Sequence, residues 1–306
     1  MLTVKDVFPD LVIPIYYNVK ESAGEWRIIH SDYEQPIEAL FSGGYNTSNG
    51  NTVKGRGDYP MVKVRSSTGK EDEVIVRSYR RGGLAGLVLP DIFNDARRPL
   101  DELVITEMGR AMGVPLPEIL GIQIKWVLPF FCRAKIAVKK IPDTVTLEET
   151  IFSLAKKNAH CQDALYRKKS NLIASLVKAI TQLHNAGIYH RDLNIRNILI
   201  KQSNLDFTAY IIDLDKSFYE SSAKGLAFDK RADNLIRLNR SLDKMLFRVG
   251  ASLRTVISKT DRLRILESYF SGEGLTRVQK RVVINKCLRQ VGLHKWWWKL
   301  IYPAHK

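Results

Sequence analysis

The side chains best placed by type and spacing to do chemistry are Asp192, Asn197 and Asp213. They stand in His190-Arg191-Asp192-Leu193-Asn194-Ile195-Arg196-Asn197, followed by Ile198-Leu199-Ile200 and then Tyr210-Ile211-Ile212-Asp213. The order is a polar loop, an apolar strand, a short loop and a second apolar strand that delivers an aspartate. Phosphoryl transfer needs such a set: Asp192 to accept or orient the proton of an acceptor hydroxyl, and Asn197 and Asp213 to hold Mg²⁺ ions that bridge the phosphates of ATP. Asp192 and Asn197 must leave one short loop in different directions, one toward the acceptor and one toward the metal. The competing reading is a solvated polar turn between two buried strands. A lone His-x-Asp would favour it, but the full pattern in its strand context is much rarer by chance.

Placing these groups calls for a bilobal, protein-kinase-like α+β fold with a small β-rich N-lobe and a larger helical C-lobe. The pattern divides the chain into residues 1–50, an N-terminal extension of open role, an N-lobe over 51–142, and a C-lobe over 143–306 that ends in a basic, Trp-rich tail. Residues 1–50 hold strand-like patches at Leu11–Tyr17 and Glu25–Ile29. The polar stretch Ser42–Gly57 reads as loop and ends in Gly55-Arg56-Gly57. A glycine turn there can approach phosphates through its backbone N–H groups, and an ordinary hairpin turn fits as well. Two β-like runs follow, Met61–Arg65 and Glu73–Tyr79. Arg77 lies in the second, where kinases carry a strand-borne cation for the α- and β-phosphates. Lysine is usual there, and Arg is larger though its fork also binds phosphate.

Helical periodicity over 98–112 puts Leu100, Leu103, Val104 and Met108 on one stripe, stopped by Gly113 and Pro115. Glu102 and Glu107 both lie on this helix, and one should pair with Arg77; Glu102 is favoured. Strands Gly121–Leu128 and Phe131–Val138 should close the small sheet, with Lys139–Asp143 as hinge. Helices are expected over Leu147–Lys157 and Gln162–Gly187, and over Asp233–Leu242, whose Arg237 and Arg240 lie toward the active site or are simply exposed.

With 48 Lys and Arg against 32 Asp and Glu, the net charge is +16. Such a field draws in something anionic. From Gly274 to Lys306 there is no acidic residue, and Trp296-Trp297-Trp298 stands between Lys295 and Lys299. Clustered Trp with flanking Lys suits a membrane interface; the alternative is a terminal helix packed on the C-lobe. No run approaches a membrane span, and the N-terminus lacks a basic-then-apolar signal pattern. Cys132, Cys161 and Cys287 are odd in number and widely spaced, which fits reduced structural thiols in the cytosol. No P-loop motif is present, and no nucleic-acid-binding module surrounds the basic tail, so no nucleic-acid partner is expected.

Five segments together resemble the bacterial 3-deoxy-D-manno-octulosonic acid (Kdo) kinases, of the lipopolysaccharide kinase group that also includes heptose kinases. They are Val76–Leu84, Gly113–Pro117, Tyr189–Leu199, Ile212–Lys216 and Asn234–Ser241, within a stretch from about Gly55 to Lys244. The resemblance implies transfer of the γ-phosphate of ATP to a hydroxyl of Kdo on an anionic lipid A precursor. It implies a cytoplasmic enzyme peripheral to the cytoplasmic face of the bacterial inner membrane. By it, Asp192 is the catalytic base, Asn197 and Asp213 the metal ligands, Gly55, Arg56, Gly57 and Arg77 the phosphate-binding group, and Glu102 the helix partner of Arg77. Two features depart from expectation. Arg191 replaces a small residue before Asp192, and Leu214-Asp215 replaces the Phe-Gly that follows the metal aspartate of protein kinases. A heptose kinase, a protein kinase and a non-catalytic kinase-like membrane adaptor are the alternatives.

Overall fold

The computed structural model describes residues 3–22, 24–43, 52–54, 58–80, 91–128, 130–157, 162–204, 206–249, 257–271 and 276–287. The chain divides into two compact units, Met1–Ala111 with Pro117–Ile141, and Met112–Leu116 with Pro142–Lys306.

The first unit is built on a seven-stranded antiparallel sheet. Its strands are β1 (Tyr17–Ser22), β2 (Glu25–His30), β3 (Thr52–Lys54), β4 (Asp58–Arg65), β5 (Glu71–Ser78), β6 (Ile119–Leu128) and β7 (Phe131–Lys139), in the order β1-β2-β6-β7-β5-β4-β3. Alternation along β6 and β7 sends side chains to two separate cores. On one face Ile122, Ile124, Ala134 and Ile136 join Leu100 and Leu103 of the helix Arg97–Ala111. On the other face Leu120, Ala137, Val74 and Val76 join Ile37, Leu40 and Phe41 of the helix Glu34–Phe41. A short N-terminal helix, Val4–Val7, precedes them, so among the described residues the α-helices of this unit are α1 (Val4–Val7), α2 (Glu34–Phe41) and α3 (Arg97–Ala111).

Residues 17–41, whose role the sequence leaves open, thus supply two strands and the helix on the second face. The strand-like patch expected at Leu11–Tyr17 is not a strand; β1 begins at Tyr17. Pro14 lies in that patch, and a proline cannot donate to a ladder. Gly121 explains how α2 packs so closely on β6. A Cβ there would lie 2.8 Å from Ile37 Cγ2 and 3.2 Å from the Phe41 ring.

The second unit holds α4 (Leu147–Lys157), α5 (Gln162–Asn185), α6 (Phe228–Val249), α7 (Lys259–Ser271) and a helix over residues 277–287. A three-stranded sheet runs β11-β10-β8, from β8 (Thr144–Thr146), β10 (Ile198–Ser203) and β11 (Asp206–Ile211). A separate pair joins β9 (Ile188–Tyr189) to β12 (Phe218–Tyr219). Helix α5 buries Leu172, Leu176, Val177, Ile180 and Leu183, as its periodicity predicts. It stops at Gly187, with φ +75°, where a Cβ would lie 2.4 Å from the Glu220 carbonyl oxygen. The chain can turn there into β9 and the polar loop.

Cys132 and Cys287 are buried free thiols, both pushed up to about 12 by burial. Gly55-Arg56-Gly57, Arg81–Gly83, Cys161 and the Trp296–Trp298 tail lie outside the described residues. Among the described residues no helix is long and apolar enough to cross a membrane.

Candidate active site

The register of β10 with β11 pairs Ile198 with Ile211. The residue just before one strand therefore meets the residue just after the other, and Ile212 N donates to Asn197 O at 3.0 Å. Asn197 and Asp213 are brought together by this hairpin alone. The Asn197 side chain turns back on the loop, its Nδ2 donating to Asp192 O at 2.9 Å, and Asn194 Nδ2 donates to the same oxygen at 3.0 Å. The Asp192 carbonyl is thereby fixed while its carboxylate end stays exposed.

Asp213 adopts φ +66° and Lys216 φ +59°, both in the left-handed region that non-glycine residues seldom enter. Between them Leu214 is 2% exposed, and Ser217 N donates to Leu214 O at 2.9 Å. A buried leucine thus anchors a strained turn, a backbone arrangement that concentrates at functional sites.

Beneath the loop lies a buried network of neutral side chains, met at its far end by the Arg231 guanidinium, 3.5 Å from Tyr269 OH. His190 Nδ1 accepts from Asp192 N at 3.1 Å, which assigns the ring proton to Nε2, and Nε2 donates to Ile212 O at 3.0 Å. One imidazole thus joins the start of the catalytic loop to the residue before Asp213. His190 is in turn held by Asn234 of α6, whose Oδ1 accepts from His190 N at 3.2 Å and whose Nδ2 donates to His190 O at 2.9 Å. The same Oδ1 lies 3.2 Å from His184 Nε2, and His184 Nδ1 lies 2.7 Å from Tyr269 OH. Burial keeps both rings neutral: it lowers the pKa of His190 and takes that of His184 down to about 3. Ser241 of α6 completes the support, its Oγ accepting from Ile195 N at 3.2 Å.

Arg191 is exposed, and its backbone N donates to Ser217 Oγ at 3.3 Å. Arg237 turns toward the loop, donating to Tyr189 OH at 3.3 Å, while its Nε is buried without a partner. Arg196 instead pairs with Glu148 at 2.6 Å.

In the first unit Arg77 of β5 pairs with Glu102 of α3, and Tyr79 OH donates to the other carboxylate oxygen. Glu102 is 4% exposed, so its charge survives only because both oxygens are engaged. The Tyr79 ring lies under two guanidinium groups, Arg77 at 5.6 Å and Arg98 at 5.3 Å. Glu107 is not the partner of Arg77. It accepts from Arg110 at 2.7 Å and from Tyr16 OH at 2.9 Å. It is buried, with Tyr16 of the segment before β1 packed against it.

Residues 61–269 match the lipopolysaccharide kinase (Kdo/WaaP) family, which is more than half of the chain. The chain belongs to that family. It is a phosphotransferase acting on a hydroxyl, and membership of a kinase family implies ATP use. The match runs past Lys244, where the motif resemblance ends, and takes in most of α7.

Among similar proteins is a 3-deoxy-D-manno-octulosonic acid kinase of Vibrio cholerae, 27% identical over 65% of this chain and 75% of the relative. A protein of the same name from Vibrio vulnificus is 29% identical over 74% of this chain and 88% of the relative. A solved structure, WaaP in complex with acyl carrier protein, covers 84% of this chain and 95% of its own at 18% identity, with a TM-score of 0.51. That likeness shows the protein-kinase-like fold expected from the motifs.

Asn194, Asn234, His184, Tyr269 and Ser241 were not singled out for the site. Three of them, Asn194, Asn234 and Ser241, stand in segments that carry the family resemblance, but the type and spacing of a buried asparagine say nothing of its partners until α6 is packed.

Proposed function

We propose that this chain transfers the γ-phosphate of ATP to a hydroxyl of Kdo in the inner core of lipopolysaccharide, on a lipid A-type acceptor. The observation that carries the reading is the hairpin that sets Asn197 beside Asp213 while His190 ties the Asp192 loop to it. The names of the relatives supply the acceptor.

In this reading the Asp192 carboxylate orients the acceptor hydroxyl and takes its proton as the new O–P bond forms. The bond from the γ-phosphorus to the β,γ-bridging oxygen breaks, and ADP leaves. Asn197 and Asp213 offer hard oxygen donors. One carboxylate and one amide suit Mg²⁺, which keeps waters and phosphate oxygens as its other ligands instead of an all-protein cage. Bound there, the metal would neutralise charge on the phosphates. Among the described residues no cluster of three or more His, Cys, Asp or Glu side chains is placed to hold a metal ion, and this chemistry requires none. Arg77, fixed by Glu102, together with Gly55, Arg56 and Gly57, would serve the phosphates. The chain would work at the cytoplasmic face of the inner membrane, where the +16 charge draws it to anionic glycolipid. We assign residues 51–142, joined by the strands and helix of residues 17–41, and residues 143–306 to the two kinase lobes.

The test offers ATP and Mg²⁺ with two acceptors in parallel, Kdo-bearing lipid A precursor and heptosylated core, read by mass. One added phosphoryl group on the first is expected, with none when EDTA replaces Mg²⁺. Phosphate on the heptosylated core alone would assign the chain to heptose phosphorylation instead.

A further inference from the structure

Helix α3 begins Arg97-Arg98 with no acidic residue in its first turn, charges that oppose its dipole, while near its other end the buried Glu107 pairs with Arg110 of the last turn. Glu102 lies midway, and its hold on Arg77 depends on the helix staying in place.

Residues 4–17 hold both ends. Asp10 pairs with Arg97, and the Arg97 guanidinium lies 5.8 Å from the Phe8 ring, which meets Trp26 edge-on. At the other end Tyr16 OH donates to Glu107 Oε2 at 2.9 Å. Partial burial and the Glu107 carboxylate push the Tyr16 pKa up to about 12, so this hydroxyl remains a donor throughout the working pH range. Between the two ends, Val4 and Leu11 are buried in the same cluster as Leu100 and Leu103.

The segment is itself tied down. Thr3 and Asp6 form a capping box, Val4 N donates to Glu21 Oε1 at 2.7 Å, and Tyr17 OH donates to Ile119 O at 2.5 Å. The segment itself lies before residue 61, where the family match begins.

We propose that residues 4–17 form an intrachain clamp for α3, with Asp10 and Tyr16 as positioning residues that fix the Arg77–Glu102 pair and so set the affinity for ATP. The proposal rests on the reading of Arg77 as a phosphate-binding residue. It gives the N-terminal segment a function outside the phosphoryl-transfer centre. A clamp carried by the chain itself keeps the pair assembled without a partner protein.

The test compares steady-state kinetics of full-length wild type with the Asp10→Asn/Tyr16→Phe double variant, each shown to be folded by its thermal midpoint. Variants along such a packed network shift a coupled affinity by roughly threefold to tenfold, and that rise is expected in KM for ATP. The kcat at saturating ATP and the KM for acceptor should stay at wild-type values. Asp10→Glu, which keeps the charge, should retain the wild-type KM for ATP.

In an Arg77→Ala background the double variant should have no further effect, because the clamp acts through that residue. An unchanged KM for ATP, a loss confined to kcat, or a full additional rise in the Arg77→Ala background would overturn the clamp. If Arg77→Ala alone leaves KM for ATP unchanged, the phosphate-binding reading falls and takes the clamp with it.

Discussion

The Asp192 loop and the Arg77–Glu102 pair are held by opposite kinds of force. Under the loop the ties run through neutral side chains: His190, Asn234, His184 and Tyr269 are joined by hydrogen bonds, Ser241 holds Ile195 N, and burial keeps both imidazoles neutral, while the Arg231 guanidinium meets the far end of the network at Tyr269 OH. Around α3 the ties are ions: Arg77 with Glu102, Arg97 with Asp10 and Arg110 with Glu107. Lys139 joins Asp72 at 2.9 Å and Glu118 at 3.3 Å in the same unit. Burial opposes the Lys139 charge, but hydrogen bonds to Asp72 and Tyr33 outweigh it and raise the pKa.

A saturated neutral network fixes one geometry and fails when any member is truncated, since each buried partner is then orphaned. Ionic ties pay a desolvation penalty and often leave something unmet; here Glu107 Oε1 is buried without a partner. The loop is thus built to stay fixed, and the α3 side to be adjustable by single charges.

The contrast can be broken at several points. Asp192→Ala should lower kcat by about 10²–10⁴-fold, the usual contribution of a positioned proton acceptor, with the thermal midpoint unchanged because its carboxylate is exposed. Asn234→Ala should cost about 3 kcal/mol or more, since His190 N, His190 O and His184 Nε2 all lose a partner. Denaturant unfolding would measure it, and activity should collapse alongside.

Arg77→Ala should raise KM for ATP about tenfold or more, the scale of a lost charge-assisted bond, while Arg77→Lys should recover most of it. Equal damage from Asn234→Ala and Asp10→Asn would erase the distinction between the two regions.

The smallest effect is on pH. His184 titrates near 6.5 when unfolded and near 3 when folded, so the unfolded state takes up the proton first. Its contribution is complete above about pH 6.5 and is lost as pH falls toward 3, at up to about 1.4 kcal/mol per pH unit. Thermal midpoints between pH 7.5 and 5 should fall accordingly, and His184→Gln should flatten the slope.

The sequence was most legible where chemistry and periodicity coincide. Asn197 and Asp213 flank short apolar strands, with Asp192 in the loop before the first, and the β10–β11 register places the two together without help from distant residues. Helix α3 was legible through Leu100 and Leu103, and Glu102 rather than Glu107 pairs with Arg77.

What escaped was everything settled by long-range packing. Tyr16 lies 91 residues from Glu107, and nothing local marks the pair. The burial of both glutamates on α3 runs against the rule that charges face water. Asn234 looks like any polar residue of an amphipathic helix until the loop above it is in place. The turn at Asp213 and Lys216 was equally invisible, since neither residue type announces a positive φ.

The central claim is that Asp192 performs the chemistry on a loop whose geometry does not depend on it. A single-turnover assay with ATP, Mg²⁺ and Kdo-bearing lipid A precursor, run beside equilibrium ATP binding for wild type and Asp192→Asn, tests it directly. The variant should bind ATP as wild type does and transfer the phosphoryl group at least about a hundredfold more slowly. Transfer at the wild-type rate, or loss of ATP binding together with transfer, would contradict it.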